Sequence, residues 1–318
     1  MRSISFAVDL VTFFHVGFWG VEERQDIGKL ALRDPKAFWD RMLSTLQATG
    51  IEGIELTFAP FGPDDAAYAY GSLEAFRREL ETRGLRVASG FYAGLALDSA
   101  ALTDPARRAF HMDAACACAR QLAELGSELL ILGMPMREPG IGGPAAFDIK
   151  AATLAADFCN ELGRSIHPTG TRLALHNEAH SAFAFARDID LLMLLTDPLY
   201  VHLCLDTGHA LLMGVNPVDV AGRYADRLLT AHFKDADGPV DPFPPTEGDV
   251  HAAHHALFRP IGQGRIDWAK WIGILPGTAL GRWAILEIDA SADPARDIVA
   301  SLEYIRSRLG RPLGRQSA

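Results

Sequence analysis

The chain has 318 residues, 49% of them hydrophobic and 22% charged, and a net charge of −10 at pH 7. This is ordinary globular composition with ample apolar material for a core. The acidic balance argues against nucleic-acid binding, which needs clustered Lys and Arg. No run of about 18 uncharged apolar residues suggests a membrane span.

The first apolar run, "ISFAVDLVTFF" (4–14), carries Asp9 inside it and has little basic lead, so it reads as a strand rather than a signal peptide. Further runs follow at 51–58, 85–92, 128–134, 171–178, 200–206, 228–235 and 282–289, each bounded by turn residues. Helical patterns occupy 35–49, 72–83, 105–125, 146–166, 187–196, 217–225, 267–275 and 294–309. "RDPKAF", "TDPARR" and "ADPARD" place Asp before a first-turn proline, and Gly50, Gly84 and Gly126 stand where a helix would stop. Eight strand–helix pairs in succession predict parallel strands closing into one (β/α)₈ TIM barrel across 1–318. An open doubly wound sheet is the alternative, but no Gly-rich loop follows the first run. Two stretches exceed the barrel plan: 13–34, and an insertion at about 236–266 carrying His251, His254 and His255. Cys116, Cys118, Cys159 and Cys204 form no CxxC pair and read as thiols of a reducing, cytoplasmic compartment.

Active sites of such barrels form at the C-terminal ends of the strands. Here the last four runs end in His176 and Glu178, Asp206, His232, and Glu287. Each has a bland explanation. A strand-end Asp is commonly a helix N-cap, a lone His on an apolar run is commonly a hydrogen-bonded core residue, and Glu287 could pair with an arginine. Four consecutive strand ends of ligand type are harder to dismiss. Carboxylates with imidazole, open on one side, suit Mn²⁺ first, with Mg²⁺, Co²⁺, Fe²⁺ or Zn²⁺ as alternatives.

The phrases "LDTGHALLMG", "RYADRL", "HFKD", "FRPIGQGRIDW" and "ILEIDASADPARD" resemble the xylose isomerase-like TIM barrel superfamily of sugar isomerases and epimerases, most of all its inosose dehydratase branch. The specific similarity covers the C-terminal half. The resemblance implies one divalent metal held by Glu178, Asp206, His232 and Glu287, with His209 facing the substrate and the strand-five and strand-eight carboxylates moving protons. "LALHNEAH" departs from many relatives, so His176 competes with Glu178 as strand-five ligand, with His180 a weaker candidate.

Such a centre stabilises an enolate on a keto-sugar or keto-cyclitol. Spare histidines favour a lyase, by dehydration or by β-elimination from a 3-keto-glycoside. An epimerase or isomerase is the alternative. His15 and Trp19, in "TFFHVGFWG", could form an aromatic wall, with Glu55, Tyr92, Lys234 and Arg259 as further substrate contacts. A homo-oligomer or a small partner subunit fits relatives of this kind. A DNA-repair endonuclease of the same fold is disfavoured by the net charge, and a non-catalytic barrel by the full set of ligand types.

Overall fold

The computed structural model describes residues 4–98, 100–137, 147–243 and 250–309. Its strands are β1 (Ser5–Asp9), β2 (Gly53–Leu56), β3 (Arg86–Tyr92), β4 (Leu129–Gly133), β5 (Arg172–His176), β6 (Val201–Asp206), β7 (Leu228–Phe233), β8 (Asp235–Ala236), β9 (Phe258–Arg259) and β10 (Trp283–Leu286). All but β8 and β9 form a closed parallel barrel in which β10 lies between β7 and β1. That closure excludes the open-sheet alternative.

The connections carry α1 (Val16–Trp19), α2 (Arg24–Arg33), α3 (Pro35–Thr49), α4 (Pro63–Tyr70), α5 (Leu73–Thr82), α6 (Pro105–Glu124), α7 (Ile149–Ile166), α8 (Ala186–Leu195), α9 (Thr207–Leu212), α10 (Pro217–Arg223), α11 (Val250–His255), α12 (Trp268–Ile274) and α13 (Pro294–Leu309). The Asp-Pro starts act as expected: Asp34 accepts from Ala37 N and Asp104 from Ala106 N and Arg107 N, satisfying amides that the first turn leaves unpaired. The first apolar run is shorter as a strand than its composition predicts. Asp9 accepts a hydrogen bond from Val11 N and turns the chain into a 3-10 turn, so β1 ends there. The helices α1, α2, α4, α9 and α11 were not anticipated; all but α2 are eight residues or shorter, too short to show a period, and α2 lies in the stretch that exceeds the barrel plan.

Register brings the strand ends to one level. Asp9 pairs with Glu55 and Asp206 with His232 as cross-strand neighbours. Register shifts fall just before Glu55 and before Cys204, where an irregular residue re-aims the side chains that follow. The described ends of the insertion after β7 are tied to one another. β8 and β9 pair antiparallel, and the Asp235 carboxylate accepts from Gly262 N, Gly264 N, Ile266 N and Trp268 Nε1. From this base the chain delivers α11 to the barrel mouth.

Candidate metal centre and active site

Asp206 ends β6 and performs two tasks with its two oxygens. Oδ1 accepts from His209 N at 2.7 Å and caps α9, while Oδ2 is buried without a hydrogen-bond partner. Asn177 holds the Asp206 backbone from both sides, donating to its carbonyl at 3.0 Å and accepting from its N–H at 2.8 Å. Gly208 follows because a Cβ there would lie 2.8 Å from Lys234 Cγ. The Lys234 stem therefore occupies the space of a side chain, and its head reaches behind the carboxylates.

Around Asp206 Oδ2 stand His176 Nε2 at 3.5 Å and His232 Nδ1 at 3.8 Å, and His232 Nδ1 is 2.5 Å from Glu287 Oε2. One donor atom each from His176, Asp206, His232 and Glu287 lies within 4.8 Å of the others, all buried. Both ring nitrogens of His176 also lack a hydrogen-bond partner. Leaving a buried polar atom unpaired costs about 1–3 kcal/mol and more for a charge, so this group fits a cation held in its middle. Two imidazoles and two carboxylates form a donor set for a borderline transition ion more than for Mg²⁺. Glu178, two residues past His176, lies outside this group; its Oε1 is 3.3 Å from His251 Nδ1 of α11.

Electrostatics follow from this burial. Desolvation works to raise the Glu287 carboxyl, but Lys234 and His232 outweigh it and bring it to about 2. Burial likewise opposes charge on Glu178, and the His251 hydrogen bond and nearby cations hold its carboxyl below the usual range. Burial disfavours the cation on Lys234, yet Asp289, Glu287 and Asp206 raise its affinity for the proton, so it is a fixed positive charge. Its Nζ is 2.7 Å from Glu287 Oε1 and 2.8 Å from Asp289 Oδ1. His209 is kept neutral by burial and by Lys234. Its Nδ1 is 3.2 Å from Ala179 N and its Nε2 3.1 Å from Lys234 Nζ; a neutral ring accepts at one nitrogen, so only one contact is a hydrogen bond.

Beneath His232 lie Glu55 and Asp9. Glu55 Oε1 is 3.0 Å from His232 Nε2, close but off the hydrogen-bond direction, and its Oε2 accepts from Ser89 Oγ at 2.5 Å. Burial and the neighbouring Glu55 and Glu287 charges push the Asp9 carboxyl well up.

The centre opens into a cavity of about 190 Å³ lined by Phe14, Phe58, Phe91, Glu178, His251 and Asp289 among others. Burial lowers His254 to about 4; its Nε2 is 2.9 Å from His180 Nδ1. His255 Nε2 is 3.7 Å from Asp289 Oδ2.

Several expected substrate contacts stand elsewhere. His15 caps α1 through Gly17 N, and Trp19 is buried, stacked 3.8 Å from Phe38, its Nε1 donating to Phe13 O. Tyr92 Oη pairs with His111 Nδ1, and Arg259 pairs with Asp237. Glu55 and Lys234 are fully buried, Glu55 beside His232 and Lys234 beside Glu287. Asp289 and Arg24 were not foreseen. Asp289 follows Glu287 by two residues, a spacing that could have flagged it; Arg24 had no sequence signal.

The xylose isomerase-like TIM barrel family profile matches residues 43–308, and the chain belongs to that family. It is 23% identical over 304 residues to an inosose dehydratase of Clostridium beijerinckii, an alignment covering 92% of this chain and 95% of that one. An inosose dehydratase of Geobacillus kaustophilus is 38% identical over 143 residues, 44% of each chain. Among solved structures, the IOLI protein with a binding zinc atom superposes with a TM-score of 0.68 at 12% identity, covering 96% of this chain and 98% of that one.

Proposed function

We propose that this chain is a divalent-metal-dependent lyase that takes a keto-sugar or keto-cyclitol, removes the proton beside the carbonyl and expels a β-hydroxyl or other β-leaving group. The observation that carries this reading is the convergence of His176, Asp206, His232 and Glu287, with unpartnered donor atoms, at the floor of the cavity. Similarity to inosose dehydratases over nearly the whole chain supports dehydration.

Those four side chains would hold the ion, with Mn²⁺, Zn²⁺, Fe²⁺ and Co²⁺ suiting two imidazoles and two carboxylates. An ion bound there would supply Lewis acidity to the substrate carbonyl and to the negative charge that develops on deprotonation. Glu178, ionised and lining the cavity, takes the proton at a carboxylate oxygen. His251, 3.3 Å from that carboxylate, gives a proton to the departing oxygen, so a hydroxyl leaves as water. Lys234 and His209 hold Glu287 and a substrate hydroxyl in place. Phe14 and Phe58 line the cavity and Phe91 packs edge-on to His176, an apolar lining that limits bulk water around the carbanion.

The test is metal content by mass spectrometry of the wild type and Asp206→Ala, followed by incubation with an inosose in heavy water. About one ion per chain, lost in the variant, with loss of water from the inosose is the expected result. Deuterium incorporation without elimination would instead make the enzyme an epimerase or isomerase. Absence of metal from the wild type after supplementation would sink the reading.

A further inference from the structure

The loop after β5 and the short helix α11 meet through two pairs of side chains. In one, Glu178 Oε1 lies 3.3 Å from His251 Nδ1. In the other, His180 Nδ1 lies 2.9 Å from His254 Nε2, the rings stacked with centroids 5.0 Å apart. His251 and His254 are three apart on α11 and so share a face. The loop is tied down: Arg137 N donates to His180 O, and Ser181 donates its N–H and its Oγ–H to Glu178 O. Helix α11 spans only six residues, too few to hold a place by its own hydrogen bonds, so side-chain contacts decide where His251 sits. His255 stands farther off than His254 does, 3.7 Å from Asp289 Oδ2 and 3.5 Å from Arg24.

The contact between His180 and His254 is costly on both sides. His180 has φ +64°, a left-handed backbone that glycine takes freely and other residues rarely adopt. Its protons follow from its partners. Asp241 O can only accept, so His180 Nε2 donates to it at 2.8 Å. A neutral His180 then accepts at Nδ1 from His254 Nε2, which leaves His254 with a bare Nδ1. That nitrogen is buried without a hydrogen-bond partner. Burial keeps both rings neutral, lowering His254 to about 4 and His180 below its usual value. Backbone strain and an orphaned nitrogen at one contact point to a role beyond stability. We infer that His180 and His254 are positioning residues, whose hydrogen bond holds α11 so that His251, the proton donor to the leaving oxygen, faces Glu178, the base. Those roles of His251 and Glu178 belong to the lyase reading, on which this inference rests.

The test follows turnover of an inosose by the metal-loaded full chain. Glycine relieves the backbone at 180 and offsets the lost hydrogen bond, so His180→Gly should melt near the wild-type temperature. Its kcat should nevertheless fall about tenfold or more, with KM and metal content unchanged. His254→Phe, which keeps a ring and removes the donor, should lose a similar factor. His254→Gln, whose amide N–H replaces Nε2–H, should recover most of it. Added to His251→Ala, His180→Gly should cost less than about twofold more, because nothing is left to position. Equal losses in the two backgrounds, or a kcat for His180→Gly within about twofold of wild type, overturn the inference. If the wild type does not turn over the inosose, the lyase reading fails by itself, and amide hydrogen exchange in α11 decides the contact. Faster exchange in His180→Gly than in the wild type upholds the hold on α11, and unchanged exchange overturns it.

Discussion

Asp9 and Asp206 each end a barrel strand, each is buried, and each uses one oxygen to cap the turn that follows. Their surroundings differ in sign. Asp9 faces Glu55 and Glu287, with His232 as the nearby cation, and its carboxyl is pushed toward the protonated form. Asp206 has Lys234 at 3.8 Å, His176 at 3.5 Å and His232 at 3.8 Å around its second oxygen. A cap at a strand end is thus compatible with a ligand role; what separates the two is the sign of the charge gathered on the uncapped side. The β1–β2 side sets Asp9 and Glu55 under His232, a smaller group of ligand type that shares this ring, and the β5–β10 side forms the four-residue group.

The sharpest break of this comparison is a matched pair of substitutions. Asn caps helices as well as Asp does, so Asp206→Asn should keep the unfolding temperature near wild type. It should cost turnover about 10³-fold or more and remove the bound metal, because the anionic donor is gone. Asp9→Asn, replacing a carboxyl whose hold on its proton is strengthened by burial and by Glu55, should change turnover less than about tenfold. Equal losses from both would erase the distinction.

Glu178→Gln should lower kcat about 10²-fold or more with metal content retained, as removal of a general base does. Loss of metal with that substitution would return Glu178 to the ligand set. Glu55→Gln, which weakens the charge under His232, should lower metal affinity about 10–100-fold, measured by competition with a chelator. Unchanged affinity would reduce Glu55 to a packing group.

The smallest effect concerns pH. His254, at the mouth, and His202, at the start of β6, are both lowered from 6.5 to about 4 by burial, helped by His180 and Arg172 respectively. The unfolded chain takes up these protons first, so the stabilisation is complete above pH 6.5 and is lost as the pH falls toward 4. Urea midpoints across that window should decline, and His202→Gln should flatten the decline if the barrel's lower end contributes. A midpoint independent of pH over this range would contradict the burial of both rings.

Much of the architecture was legible because it is written in local terms. The helices at 35–49 and 294–309 and the strand at 200–206 have bounds within a residue of those observed, since capping residues and apolar periodicity act over a single turn or strand. The overrun of the first strand shows the limit: "AVDLVTF" has the same apolar character whether extended or in a 3-10 turn, and only the Asp9 cap distinguishes them. The residue types at the strand ends were equally visible, as was the alternative between His176 and Glu178, but not that His176 is the one that converges with Asp206, His232 and Glu287. That depends on where β5 stops and on Asn177 clamping the Asp206 backbone 29 residues away.

The residue sequence determined the eight strand–helix pairs, the acidic caps and the residue types at the catalytic end, because each follows from contacts within a few positions. Tertiary structure alone decided that Trp19 packs on Phe38, that Lys234 lies behind Glu287, and that α11 brings His251 to Glu178. These pairings join segments far apart in sequence, and barrel closure and strand register, set by the packing of the whole core, bring them within reach.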